Sequence, residues 1–107
     1  MANQEQLRTL KKEGVEVWNL WREDNPDVKI DLSDADLSGA NLSGTDLSEA
    51  KLIGVNLREA NLSRVRALRT NFDGATLTGA CIQEWNRRKL NNKWLLEKVN
   101  QPLFLSS

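Results

Sequence analysis

The chain contains no histidine and no tyrosine, only one cysteine, and just two prolines and two phenylalanines in 107 residues. Without histidine it lacks the side chain that most often serves as general base near neutral pH and as metal ligand. Cys81, standing alone, excludes an internal disulfide. An excess of one charge is also missing. Fifteen Lys and Arg stand against 15 Asp and Glu, so composition points to no broad basic face for nucleic acid. The longest apolar runs are a few residues, such as Leu103-Phe104-Leu105, whereas a membrane-crossing helix needs about 20. The opening Met1-Ala-Asn-Gln-Glu-Gln-Leu is polar and does not read as a secretory leader. With 39% hydrophobic and 28% charged residues, the expectation is one small cytoplasmic domain with a packed core.

What is present is a period of five. From 30 to 84 the chain reads IDLSD ADLSG ANLSG TDLSE AKLIG VNLRE ANLSR VRALR TNFDG ATLTG ACIQE, eleven consecutive pentads. Their centres are Leu32, Leu37, Leu42, Leu47, Leu52, Leu57, Leu62, Ala67, Phe72, Leu77 and Ile82, every one apolar. Two residues earlier the side chain is always small or β-branched, as in Ile30, Ala35, Thr45 and Val55. On an α-helix five residues advance the chain by about 500°, or about 140° net, which scatters the centres around the axis. In a flat strand an odd spacing sends successive centres to opposite faces. A chain that turns about 90° after each pentad points both positions inward on all four sides of a tube, with twenty residues per coil.

The charges carry the same twenty-residue period. Positions i and i+20 stack on adjacent rungs, and four such pairs are charged at both places: Asp31 with Lys51, Asp46 with Arg66, Glu49 with Arg69, and Arg64 with Glu84. All four are opposite in sign, which supports the register while adding little stability on an exposed surface. Gly39, Gly44, Gly54, Gly74 and Gly79 end their pentads, where a corner with unusual backbone angles is expected.

The A(D/N)LSG pattern with Leu at the centre resembles the pentapeptide-repeat family. That resemblance implies a β-solenoid: a right-handed quadrilateral parallel β-helix, here under three coils and about 13 Å long at a rung spacing near 4.8 Å. Val65-Arg66-Ala67-Leu68-Arg69 departs from the pattern, with Ala at the centre and Leu after it. Either Leu68 is exposed, as a possible interaction residue, or the backbone slips to turn it inward; the fives resume in phase at Phe72, which favours the unslipped register.

A short solenoid needs covered ends. In residues 1–29, Leu7, Leu10, Gly14, Val17, Trp18 and Trp21 recur at helical spacing, with Arg22 among the charges assigned to other faces. The expectation is a helical cap over 3–24, divided at Gly14 and stopped at Asn25-Pro26. Leu7, Leu10, Trp18 and Trp21 are read as packing residues, in preference to an aromatic cage for a ligand. In 85–107, Trp85, Leu90 and Trp94 mark a second helical cap, and Arg87-Arg88-Lys89 forms a basic cluster, read as a solvated helix face in preference to a contact for phosphate or an acidic partner. The N-terminal organisation resembles that of many cyanobacterial pentapeptide-repeat proteins.

No catalytic constellation, phosphate loop or metal-ligand spacing is legible, so no enzyme, cofactor or metal is expected. Asp31, Asp34 and Asp36 lack the glycine and glutamate that would complete a calcium loop. Ser33, Ser38, Ser43, Ser48 and Ser63 follow the central Leu and are expected to point outward; Cys81 is too. Three roles are weighed. The first is an interaction or scaffold module for a protein partner. The second is self-association through a cap or the 103–105 tail; the expected state of the chain is a monomer or weak homodimer. The third, least favoured, is the DNA mimicry of topoisomerase-directed family members, which implies a long acidic rod, whereas this tube is short and carries Lys51, Arg58, Arg64, Arg66 and Arg69.

Overall fold

The structure, a computed structural model, describes residues 2–82. The expectations for Trp85, Leu90, Trp94, the Arg87-Arg88-Lys89 cluster, the Arg64–Glu84 pair and the Leu103-Phe104-Leu105 tail lie outside the described residues.

The period of five is realised as one turn per pentad. Ala35 N–H donates to Leu32 C=O at 3.1 Å, and Asp34 between them has φ of 63°. A four-residue hydrogen bond with a left-handed third residue is the pattern of a type II turn. The same bond recurs from Leu37 to Ala40, Leu42 to Thr45, Leu47 to Ala50, and onward to Leu77 and Ala80. The second pentad position stabilises the turn from outside. Asp31, Asp36, Asn41, Asp46, Asn56, Asn61 and Asn71 each accept, at Oδ1, the backbone N–H two residues on, at 3.0–3.3 Å. This Asx turn is the physical reason for Asp or Asn at that place.

Successive coils pair in parallel at an offset of twenty: Asp31 with Lys51, Asp36 with Asn56, Asn41 with Asn61, Asp46 with Arg66, Lys51 with Asn71, Asn56 with Thr76 and Asn61 with Cys81. Leu32 N–H donates to Lys51 C=O at 2.8 Å and Lys51 N–H returns to Ile30 C=O at 2.9 Å. These are isolated bridges; no longer strand forms among the described residues. A turn every five residues leaves a single paired residue between corners.

Leu32, Leu37, Leu42, Leu47, Leu52, Leu57, Leu62, Phe72, Leu77 and Ile82 are buried, as is Ala67. Thr45 and Thr70, at the small inward position, are buried with their hydroxyls donating to Leu42 C=O and Leu47 C=O, which removes the penalty of an unpaired polar group in the core. The fives do not slip at 65–69. Arg66 keeps its bridge to Asp46, Ala67 stays inside, and Leu68 is 39% exposed. The outward rule fails at Ser33, which is buried, with Oγ making no hydrogen bond; Ser38 is exposed, and Ser43, Ser48, Ser63 and Cys81 are half-buried.

Every corner from Asp34 to Gly79 has positive φ, and five of the ten carry a side chain: Asp34, Glu49, Glu59, Arg64 and Arg69. Each non-glycine corner costs about 1–2 kcal/mol of backbone strain, offset by the turn and rung hydrogen bonds around it. Gly54 (φ 71°) has an added constraint, because a Cβ there runs into Asp34 Oδ1 on the rung before, whereas one at Gly39 meets open space. Because Asp34 is exposed and its carboxylate can swing aside, Gly54→Ala is expected to cost only a few tenths of a kcal/mol more than Gly39→Ala, both being about 1–2 kcal/mol from the left-handed corner itself. Urea denaturation of the two variants side by side checks the order.

Before the first coil, Asn3 caps α1 (Gln4–Arg8) by accepting Gln6 N–H on its side chain. The chain continues through a π-helical turn, Thr9–Glu13, to Gly14 at φ 93° and then α2 (Val15–Asp24). Gly14 does divide the helical stretch. Asn25 ends α2, its N–H bonded to Trp21 and Arg22 carbonyls, and Pro26 prevents continuation. Leu10 and Trp18 are buried and Leu7 and Trp21 pack partly against the core. Val17, by contrast, is exposed, as is Leu20. Val17 sits one position from Trp18, about 100° around the helix, so the two cannot share the buried stripe.

Candidate interaction surfaces

In a coil whose rung bonds all run to the next coil, the opposite edge of the first coil is left with unpaired backbone groups. On residues 31–48 those groups meet side chains of the N-terminal helices. Gln6 is buried and bidentate: its Nε2 donates to Lys29 C=O and its Oε1 accepts Asp31 N–H, both at 2.9 Å. Asn3 N–H donates to Asp31 C=O at 2.7 Å. On the side formed by 45–49, Asn19 donates to Gly44 C=O at 3.0 Å and accepts Asp46 N–H at 2.9 Å. Asp46 C=O receives both Trp18 Nε1 and Arg22 Nη1 at 2.9 Å, and Arg22 Nη2 reaches Ser48 C=O. Side-chain amides thus reproduce the donor and acceptor spacing of a missing rung.

Gln6 and Asn19 escaped the sequence reading because nothing in an isolated amide marks it as an edge partner. Arg22 was placed on the wrong face. It follows Trp18 by four residues and so lies on the same side of α2, and that spacing was the available signal.

The outward faces carry ordered charge. Arg69 Nη2 lies 3.0 Å from Glu49 Oε2, and Arg66 Nη2 lies 4.0 Å from Asp46 Oδ2, all four positions on the side formed by 45–49 and 65–69. Leu68 sits between Arg66 and Arg69 on that side, exposed where other pentads place Ser, Thr, Ile, Arg, Asp or Gln. Asp31 and Lys51 face each other across a bridge.

Two carboxylates titrate below the usual aspartate range. Asp31 is lowered first by the Ser33 backbone N–H, with Lys51 adding to it; Asp36 is lowered first by the Ser38 hydroxyl and then by the Ser38 N–H. Because these folded-state values are depressed, the stabilisation is present above the ordinary aspartate range and is lost as pH falls through the lowered values. The Asp31→Asn/Asp36→Asn variant keeps the acceptor oxygens of both turns without the charge. Its denaturation midpoint is expected to fall less steeply on acidification than that of the parent chain, and equal slopes would contradict this assignment.

Among the described residues no group of three or more His, Cys, Asp or Glu is gathered to hold a metal ion, and no helix is long and apolar enough to cross a membrane. Asp34 forms the first corner, with Asp31 before it and Asp36 after it, and Asp31 and Asp36 each use an oxygen on their own turns.

No curated protein matches the chain. A family profile described as "Pentapeptide repeats (8 copies)" matches residues 30–66 and 50–84, together the whole of the five-residue periodicity and just over half of the chain. With turns every five residues, parallel bridges at an offset of twenty and that match, the chain belongs to the pentapeptide-repeat family.

Proposed function

We propose that the chain is a non-catalytic interaction module: a right-handed, four-sided tube of eleven pentads over 30–84, closed by a helical cap in 1–29 and a second in 85–107, that presents a rigid outward face to a protein partner. The observation that carries this reading is Leu68, 39% exposed on a hydrogen-bonded rung between Arg66 and Arg69. A flat face gives no pocket for a transition state but suits a partner surface with an apolar anchor and acidic rim. Leu68 is the anchor, and Arg69, hydrogen-bonded to Glu49, loses less side-chain entropy on docking than a free arginine.

The test is affinity capture from the native cytosol with the intact chain immobilised, alongside light scattering of the chain alone. One partner that is retained by the parent chain and lost from Leu68→Ser and Arg66→Glu, with melting unchanged, supports the reading. Retention by both variants overturns it for this face. A dimer mass in solution, with nothing else captured, moves the role to self-association.

A further inference from the structure

Beside α1 lies a cleft of about 210 Å³ lined by Asn3, Glu5, Gln6, Thr9, Trp21 and Val28, with buried Trp18 behind. Its polar groups divide into those already engaged and those left over. Gln6 has both ends of its amide on the backbone of Lys29 and Asp31. Asn3 Oδ1 is taken by Gln6 N–H, and the Thr9 hydroxyl donates to Glu5 C=O. The Glu5 carboxylate makes no hydrogen bond or ion pair among the described residues, and the lining holds no basic side chain to balance it.

The two tryptophans have separate employments. Trp18 is fully buried, with its indole N–H on Asp46 C=O. Trp21 is half-buried and its N–H has no partner among the described residues; its ring is held against Trp18 at 5.7 Å between centroids, tilted by 41°. A fixed aromatic ring with one uncompensated carboxylate and the exposed methyls of Val28 offers charge and apolar contact but few free hydrogen-bonding groups. A sugar needs several such groups. A cation with apolar substituents needs none, and the face of an indole attracts it. The volume lies below the roughly 300–1,000 Å³ of sites for drug-sized ligands, so a head group fits and a large molecule does not.

We propose that this cleft binds a quaternary ammonium group, with Trp21 as the ring that faces the cation and Glu5 as its counter-charge. The group is carried either by a small molecule of the choline type or by a trimethylated lysine side chain on another protein. The site is independent of the Leu68 face and stands or falls separately from the interaction role proposed for that face.

The experiment is a titration of the full chain, followed by the tryptophan indole N–H signals in nitrogen–proton correlation spectra, with Trp21 assigned through Trp21→Phe. Choline is expected to shift the Trp21 signal saturably in the millimolar range, and its uncharged isostere 3,3-dimethylbutan-1-ol at least about tenfold more weakly. Glu5→Gln, an exposed position whose change leaves the fold intact, is expected to weaken choline about three- to tenfold. A short peptide bearing trimethyllysine that binds tighter than choline identifies a protein as the source; choline binding the tighter identifies a small molecule. An equal response to the isostere, an unchanged affinity in Glu5→Gln, or no saturable shift up to about 50 mM overturns the proposal.

Discussion

Leu52→Asp is expected to unfold the solenoid. Leu52 is fully buried in the middle coil, with its N–H on Asn71 C=O and its C=O on Val55 N–H, so its side chain has no path to solvent without breaking the coil. A carboxylate there has to lose its hydration with no cation to receive it, and the surrounding core loses the isobutyl group as well. The combined effect exceeds about 5 kcal/mol, comparable to the whole stability of a small domain. Leu68→Asp places the same chemistry on an exposed rung between Arg66 and Arg69 and is expected to stay within about 0.5 kcal/mol of the parent, as is Ser48→Ala. Circular dichroism melts of the three variants decide the matter. Comparable midpoints for Leu52→Asp and Leu68→Asp would overturn the division between inward and outward positions.

Trp18→Ala is the second large effect. Removing a fully buried indole leaves a cavity between α2 and the first coil, at a cost of about 3–5 kcal/mol. The lost hydrogen bond contributes little of this, because Asp46 C=O keeps Arg22 as a donor. Trp18→Phe, which forfeits the bond but fills most of the site, is expected to cost clearly less than Trp18→Ala, about 1–2 kcal/mol and mainly from the volume lost. The damage should also be local at first, since each coil touches only its neighbours. Hydrogen exchange checks this: the amides of Leu32, Leu37, Leu42 and Leu47, which bond the first coil to the second, should lose more protection than those of Leu57 and Leu62. Uniform loss would mean that the coils open as a single unit and that α2 is not a local cover.

Much of the solenoid was legible because its constraint is periodic. An apolar residue every five positions is incompatible with helix and strand alike, and opposite charges twenty apart placed one coil beside the next; among the described residues, Asp46 with Arg66 and Glu49 with Arg69 approach within salt-bridge distance. Even at 65–69, where Leu68 competes with Ala67 for the interior, the pattern on both sides held the register. The Asx turns were visible as a preference for Asp and Asn, yet their purpose required the geometry in which Oδ1 meets the backbone N–H two residues on.

The sequence by itself determined the coil, because burying every fifth side chain together has one economical solution, and it determined the family with it. It did not determine which non-glycine residues accept a left-handed corner, since that strain is offset by rung bonds invisible in a string of letters. Nor did it determine how the first edge is satisfied or where a ligand finds unspent chemistry. Gln6, Asn19 and Arg22 look like ordinary surface residues, and Trp21 looks like Trp18, until the helices are laid on the coil. Packing then consumes one indole and leaves the other. Hydrogen bonds are directional and short in range, so only the tertiary arrangement decides which polar groups are already engaged and which remain free to bind.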